Sequence, residues 1–373
     1  MSAHLLAHDA GYRSAGISGY IHHLIAALPD ADPAFLYSVF TGAQAAPPVR
    51  AGLVARRSRW HTVSPLKRIA WEQIVQPVAA RRAGIDLLHA LAFAGPLLGP
   101  TPQVVTVYDL SFIHYPDVLP VSRRLYLRLF TRLSCQRARR IIAISDSTAR
   151  DVAAQFGIAR DKIDVALPGV TDRFHPLPAG DVAAFRQRAG LPERFLLFVG
   201  TLEPRKNLPV LLRAYAQLPP ADRAAVHLVL GGGKGWMYDE IFRTIEQHDL
   251  GATVHLPGYL DEADLPLWYN AADALVYPSV FEGFGLPVIE AMACGTPVLV
   301  SDSSSLPEAA GDTGFLLPPD GTEAWTEALA RVIHDPGWRA EAGAQAQARA
   351  AGFTWSNTAA QTVASYRCAL NHL

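Results

Sequence analysis

Two carboxylates, Glu282 and Glu290, stand with seven residues between them, across Gly283-Phe284-Gly285-Leu286-Pro287, a glycine-rich turn entering an apolar run. A carboxylate accepts hydrogen bonds from vicinal hydroxyls, so such a pair suits a ligand with two sugar rings, one ribose and one hexose. Ahead of the pair, Ala274-Leu275-Val276-Tyr277 reads as a buried strand stopped by Pro278. Behind it, Pro287 to Cys294 reads as a helix with proline in its first turn, closed by Gly295 and Pro297. A strand, a glycine turn and a helix N-terminus leave backbone N–H groups free for an anionic or hydroxyl-rich ligand. Glu290 then lies about one helical turn inside the helix, so both carboxylates reach one crevice from different depths. Two solvated glutamates at a helix start are the plainer reading, but the apolar company of Phe284, Leu286, Val288 and Ile289 argues against it.

A second set of charges follows another strand. Phe195 to Val199 is apolar, and Gly200-Thr201-Leu202-Glu203-Pro204-Arg205-Lys206-Asn207 leads into a helix with apolar Leu208, Leu211, Leu212, Tyr215 and Leu218. Arginine grips phosphate oxygens as a fork and lysine as a point charge, so Arg205 and Lys206 are placed to neutralise a diphosphate leaving group without a metal. Gly231-Gly232-Gly233-Lys234-Gly235 lacks the spacing of a nucleotide-triphosphate loop and reads as a flexible turn with its glycines near the ligand. Near the start, Ser14 to Tyr20 is a glycine turn before an amphipathic helix, and the amides around Gly16 are available to an anion. Asp109, at the end of the strand Val104 to Tyr108, either orients an acceptor hydroxyl or caps a turn. Asp30-Ala31-Asp32 has the form of a metal-binding pair but falls beside prolines after the first helix, where a turn is expected.

Residues 282 to 298 resemble the signature of the retaining glycosyltransferases of family 4, the group 1 transferases: Glu-Gly-Phe-Gly-Leu-Pro, two residues, then Glu-Ala-Met-Ala, one residue, Gly, one residue, Pro-Val. The resemblance implies an α/β GT-B fold, two Rossmann-like doubly wound domains facing a central cleft. It places contact with the transferred sugar on Glu282 and with the ribose on Glu290. It gives the Arg205-Lys206-Asn207 stretch to the diphosphate, and it sets the backbone of Tyr259 and Leu260 beside the nucleotide base. The donor site so implied comprises Gly16, Gly200, Arg205, Lys206, Tyr259, Leu260, Glu282, Gly283, Phe284, Gly285, Leu286 and Glu290. Its chemical groups are Glu282, Arg205, Lys206 and Asp109. Many relatives carry histidine where this chain has Tyr108, beside the anomeric carbon, which puts a side-chain role there in doubt. Residues 106–112, 200–207 and 305–312 look like those of mannosyltransferase-type members that build surface polysaccharides. GDP-mannose is therefore the first donor expected and a UDP-hexose the second, with a glycan or lipid-linked glycan as acceptor and no cofactor or metal.

The chain as a whole is compatible with this. Its 373 residues, half of them hydrophobic and 18% charged, are enough for two domains with their own cores. The divisions expected are 1–170 for the acceptor, 171–352 for the nucleotide sugar, and a last helix, 353–373, returning to the first domain. Alternating strands and helices imply parallel sheets, whose carboxyl ends carry the ligand. The first strand, His4 to Ala7, is unusually short. Three widely spaced cysteines, no apolar stretch of bilayer length and no leader-like start suggest a reducing cytoplasm. Residues 1–170 hold 19 Lys/Arg against 11 Asp/Glu, with seven arginines at 123, 124, 128, 132, 137, 139 and 140. That excess fits peripheral contact with an anionic membrane, or simply a solvated helix face; no nucleic-acid reading motif accompanies it. A sugar-nucleotide epimerase, or a sugar-nucleotide-binding module without activity, is the alternative. A nicotinamide dehydrogenase lacks its Gly-x-Gly-x-x-Gly after the first strand.

Overall fold

The computed structural model describes residues 1–6, 16–43, 47–58, 60, 65–116 and 119–371. They form two compact units, Met1–Gly169 with Thr354–Leu373, and Val170–Phe353.

The first unit is a parallel sheet of β1 (Tyr37–Thr41), β2 (Leu53–Arg57), β3 (Leu88–Ala90), β4 (Gln103–Val107), β5 (Arg140–Ala143) and β6 (Ile163–Val165). The strand expected at His4 is replaced by a single residue. Ser2 bridges Phe40 on one side and Ala90 on the other, and the chain then turns, with the Leu6 N–H donating to the Ala3 carbonyl. Ala7, Ser14 and Ala15 lie outside the described residues. Gly16 does not: it adopts φ +71° at the start of the helix Ile17–Ala31. That helix buries Ile21, Leu24, Ile25 and Leu28 and runs through Pro29 to Ala31, so Asp30 and Ala31 are helical rather than a turn. Arg50 holds Asp30 at 2.8 Å, and Arg367 holds the buried Asp32 at 2.6 Å. Both carboxylates are thus engaged within their own unit. The helix Trp355–Leu370 belongs to this unit, with the Tyr366 hydroxyl 2.6 Å from Nδ1 of buried His89.

The second unit is a six-stranded parallel sheet: β7 (Phe195–Val199), β8 (His227–Gly231), β9 (Val254–Gly258), β10 (Ala274–Tyr277), β11 (Val298–Ser301) and β12 (Gly314–Leu317). Their order across the sheet is β9-β8-β7-β10-β11-β12. Leu196, Leu197 and Phe198 of the central strand are fully buried, each contributing on the order of 1.5–3 kcal/mol of apolar transfer. The chain winds outward in opposite directions from β7 and β10, so the loops after these two strands flank the topological switch point, where such sheets bind ligands. Those loops are 200–207 and 278–285.

Among the described residues no helix is long and apolar enough to cross a membrane.

Candidate active site

The sheet order brings together two loops that are more than 70 residues apart in sequence. After β7 the chain makes a short turn, Pro204–Lys206, and Asn207 takes a left-handed φ of +55° before the helix Leu208–Gln217. The Val280 N–H then donates to the Arg205 carbonyl at 3.0 Å, tying one loop to the other through the main chain.

Arg205, Lys206 and Glu282 meet in this seam. Lys206 Nζ donates to Glu282 Oε1 at 2.5 Å and to the Tyr277 hydroxyl at 2.9 Å. Arg205 donates from Nη1 to Glu282 Oε2 at 3.0 Å and to the Phe281 carbonyl at 2.8 Å, and its Nη2 lies 2.7 Å from Glu203 Oε1. Lys206 is 6% exposed, Glu282 8% and Glu203 3%, so two cations and two carboxylates share a nearly dry cluster. Burial pushes the Glu282 carboxyl up, but Lys206 and Arg205 outweigh it and hold the group at about 2. Burial also lowers Lys206, against the pull of Glu282. The sequence reading set the cations toward a ligand and Glu282 toward a sugar; the structure bonds them to one another. Their charges are positioned in advance, so they need little reorganisation to meet an incoming anion.

Serines missed in the sequence reading hold Glu282 from behind. The Ser304 and Ser305 hydroxyls donate to the Glu282 carbonyl at 2.6 and 2.9 Å, and the Glu282 N–H donates to Ser304 Oγ at 3.2 Å. Ser303 donates to the Val280 carbonyl at 2.7 Å. Ser304 adopts φ +56°, a strained conformation for a residue with a side chain and one that collects at functional sites. A run of three serines one residue after a buried strand was the available signal.

Glu290 is separate from this cluster. It projects from the helix Leu286–Ala293, partly open to solvent, and Oε2 accepts the Tyr269 hydroxyl at 2.8 Å. Burial raises its carboxyl to about 7, against the Tyr269 hydrogen bond and the charge of Arg173, which lower it. Tyr269 was also missed; nothing in its local sequence marks a buried tyrosine as a carboxylate partner.

The glycines act through the backbone. Gly285 starts its helix at φ +102°, and a Cβ there would lie 2.8 Å from Leu306. The 231–235 run is not a loose turn. The Gly200 N–H donates to the Gly231 carbonyl, that of Leu202 to Gly233, and that of Gly232 to Gly258. Gly200 is thereby fixed to the neighbouring strand end. Leu260 is buried against Gly231, while the Tyr259 side chain is about half exposed. The helix after them begins at Leu265, and ahead of it the Asp261 carboxylate accepts the Ala263 N–H in a turn. Gly283 in the turn and Leu286 at the first position of the helix are half-buried. Phe284 corrects the side-chain reading: it is 2% exposed, with its ring 5.5 Å from that of Phe353, so its side chain serves the core.

Two residues of the expected site, Asp109 and Gly16, lie in the first unit. Asp109 Oδ1 accepts the Ser111 N–H at 2.8 Å, the turn-capping role, which leaves Oδ2. Tyr108 is spent on structure: its hydroxyl donates to the Leu91 carbonyl at 2.6 Å, and its own carbonyl accepts the Thr148 hydroxyl at 3.0 Å.

Two Rossmann-like units, one with paired cations and carboxylates at its switch point, define the GT-B class of glycosyltransferases. Residues 182–349 match the family described as "Glycosyl transferases group 1", and residues 14–174 match "Glycosyltransferase Family 4". The chain is 34% identical over 265 residues to O-antigen chain mannosyltransferase B of Escherichia coli, covering 71% of this chain and 70% of that one. It is 35% identical over 252 residues to D-inositol 3-phosphate glycosyltransferase of Kribbella flavida, covering 63% of this chain but only 57% of that relative. Among solved structures, sucrose-phosphate synthase of Thermosynechococcus elongatus aligns with a TM-score of 0.76 at 24% identity over 98% of this chain and 97% of that one. Anabaena HepE, in complex with UDP and glucose, aligns at 0.72 and 22% over 96% and 97%. The chain belongs to the group 1, family 4 glycosyltransferases.

Proposed function

We propose that the protein transfers a hexose, mannose from GDP-mannose first and a hexose from a UDP-sugar second, to a hydroxyl of a glycan or lipid-linked glycan, with retention at the anomeric carbon. The observation that carries the reading is the buried Arg205–Glu282–Lys206 cluster at the switch point. As the bond from the anomeric carbon to the diphosphate oxygen breaks, negative charge grows on that oxygen, and Arg205 and Lys206 are fixed beside it. The acceptor oxygen bonds to the anomeric carbon on the same face and its proton passes to the departing phosphate. Glu282 meets hydroxyls of the sugar and holds both cations in place. Glu290 accepts the ribose hydroxyls. The backbone at Gly200, Gly283, Gly285, Leu286, Tyr259 and Leu260 lines diphosphate and base. Asp109 keeps Oδ2 for the acceptor hydroxyl. The names of the mannosyltransferase relatives support mannose; the HepE complex with UDP-glucose supports the second donor.

The test is a melting-temperature screen with GDP-mannose, GDP-glucose, UDP-glucose and UDP-galactose, with and without EDTA. A donor at 100 times its Kd is expected to stabilise the protein by about 2.7 kcal/mol. Retention of the shift, and of product formation, in EDTA is expected because side-chain cations stand where a metal would neutralise the diphosphate. Loss of both in EDTA and recovery with Mg²⁺ or Mn²⁺ would overturn the metal-free reading. Donor turnover without any acceptor, giving an epimerised sugar nucleotide, would favour the epimerase.

A membrane-bound acceptor is supported by the helix Val121–Arg137. Val121, Leu125 and Leu129 are exposed at successive turns, beside Arg124, Arg128 and Arg132. Of the seven arginines noted above, three are used internally: Arg137 on the Gly99 carbonyl, Arg139 on Ala369 and Arg140 on Asp164. Arg123, Arg124, Arg128 and Arg132 have no ion-pair partner among the described residues, and each near an anionic surface contributes about 1 kcal/mol. The protein is expected to co-sediment with phosphatidylglycerol vesicles at low salt, less at high salt and little with phosphatidylcholine. Leu125→Gln with Leu129→Gln should weaken that binding. Equal behaviour on both lipids would leave the helix a solvated face.

A further inference from the structure

We infer that Tyr269 is the positioning residue of the donor site: its hydroxyl takes one oxygen of Glu290 and so orients the carboxylate and favours its ionised form, with its second oxygen kept for the nucleotide ribose. The inference rests on the proposed reading of Glu290 as the ribose acceptor.

Tyr269 is fully buried and held from several sides. Its hydroxyl donates to Glu290 Oε2 at 2.8 Å. Its carbonyl accepts the buried Thr296 hydroxyl at 2.7 Å, and its ring lies 5.8 Å from that of Phe174. A phenol fixed in this way has one place to send its proton, so the carboxylate rotamer is set before any ligand arrives. Oε1 has no hydrogen bond to other described residues. This matters because a carboxyl serves two ribose hydroxyls as an acceptor only when ionised; protonated, it becomes a donor at one oxygen.

The environment makes ionisation a close contest. Burial drives the group up and Glu262 adds to this, for a net of about 7. Tyr269 and Arg173 work against it. Arg173 is paired with Glu262 at 2.9 Å, which blunts its charge. Cys294, which caps the C-terminal end of the helix carrying Glu290, is buried and itself pushed up to about 12, so it stays neutral. Among the described residues Tyr269 is therefore the one uncharged donor aimed at the ionised form, and removing its hydroxyl raises the carboxyl further.

The test is calorimetric binding of GDP-mannose and UDP-glucose between pH 5.5 and 9, since a sugar nucleotide carries no phosphate that titrates near neutrality. For the donor that binds, native affinity is expected to fall as pH drops below about 7. Tyr269→Phe, which keeps the ring and its packing, should move that midpoint upward. It should weaken binding at pH 7 by about fivefold, the worth of one hydrogen bond, with affinity recovering at pH 9. Glu290→Gln should bind weakly and without this pH dependence. A Tyr269→Phe variant with an unchanged midpoint, or one weakened equally at every pH, would overturn the role given to Tyr269. Native-like binding by Glu290→Gln would instead overturn the ribose reading on which it rests.

Discussion

Glu282→Gln is expected to destabilise the second unit by about 3–5 kcal/mol and to reduce transfer by about 10²-fold or more. The carboxylate accepts from both Arg205 and Lys206 in a nearly dry cluster. Glutamine keeps the shape but leaves two adjacent cations with only Glu203 between them, and Glu203 pairs with Arg205 alone. Lys206 is already lowered by burial against the pull of Glu282, so losing that anion lowers it further and weakens its hold on a diphosphate. Nucleoside diphosphate affinity therefore falls along with turnover, whereas a residue touching only the sugar would leave it unchanged. Arg205→Ala and Lys206→Ala should chiefly depress kcat, because they face charge that grows during bond breaking. The pH dependence follows from the same cluster. Glu282 titrates at about 2 in the folded protein, below its ordinary value of 4.5. Its contribution is complete above pH 4.5 and is lost as pH falls toward 2. Urea unfolding of native and variant proteins at pH 4.5 and at pH 3 measures this. A stability gap that does not narrow on acidification would show that the ion pairs are not its source.

Gly232→Ala is expected to cost on the order of 3 kcal/mol or more, with transfer falling by about 10²-fold. Gly232 has φ +152°, and a Cβ built there would stand 1.9 Å from the Gly200 carbonyl oxygen, which is main chain and has no rotamer to move. Relief requires shifting either Gly200 or the Gly232 N–H bond to Gly258. Gly200 opens the loop that ends in Arg205 and Lys206, so displacement there is carried to the cluster. One residue along, Gly233→Ala meets nothing within 4 Å and should be nearly neutral. Denaturation midpoints and donor turnover for the two variants provide the comparison. Similar behaviour of both would mean that the close approach to Gly200 carries no energetic weight.

The chemistry of the site was legible because it is local. Glu282, Gly285, Pro287 and Glu290 lie within nine residues, and strand, turn and helix follow from apolar runs, glycine and proline at short range. The motif also sufficed for the GT-B class and for the family. The short strands β3 and β6, three residues each, and the edge strands β2 and β12 were not legible, since so few residues establish no periodicity. Ser2 acting as a one-residue strand could be seen only from its bridges to Phe40 and Ala90. Likewise the sequence placed Asp30 and Asp32 in a turn, and only the structure shows Asp30 inside the first helix, with Arg50 and Arg367 on the two carboxylates.

What the sequence by itself determined is which residues carry charge and which backbone turns they sit on. What only the tertiary structure decided is who partners whom. Arg205 and Glu282 are 77 residues apart and meet because β7 and β10 are neighbours at the centre of the sheet. Two cations that look ready for a ligand are therefore already bonded to a carboxylate, and a glutamate that looks free is held by Tyr269. The physical reason is one of range. Side-chain periodicity and turn chemistry act over a few residues, whereas an ion pair needs two loops at the same strand ends, and sheet order is fixed by burying many apolar faces at once.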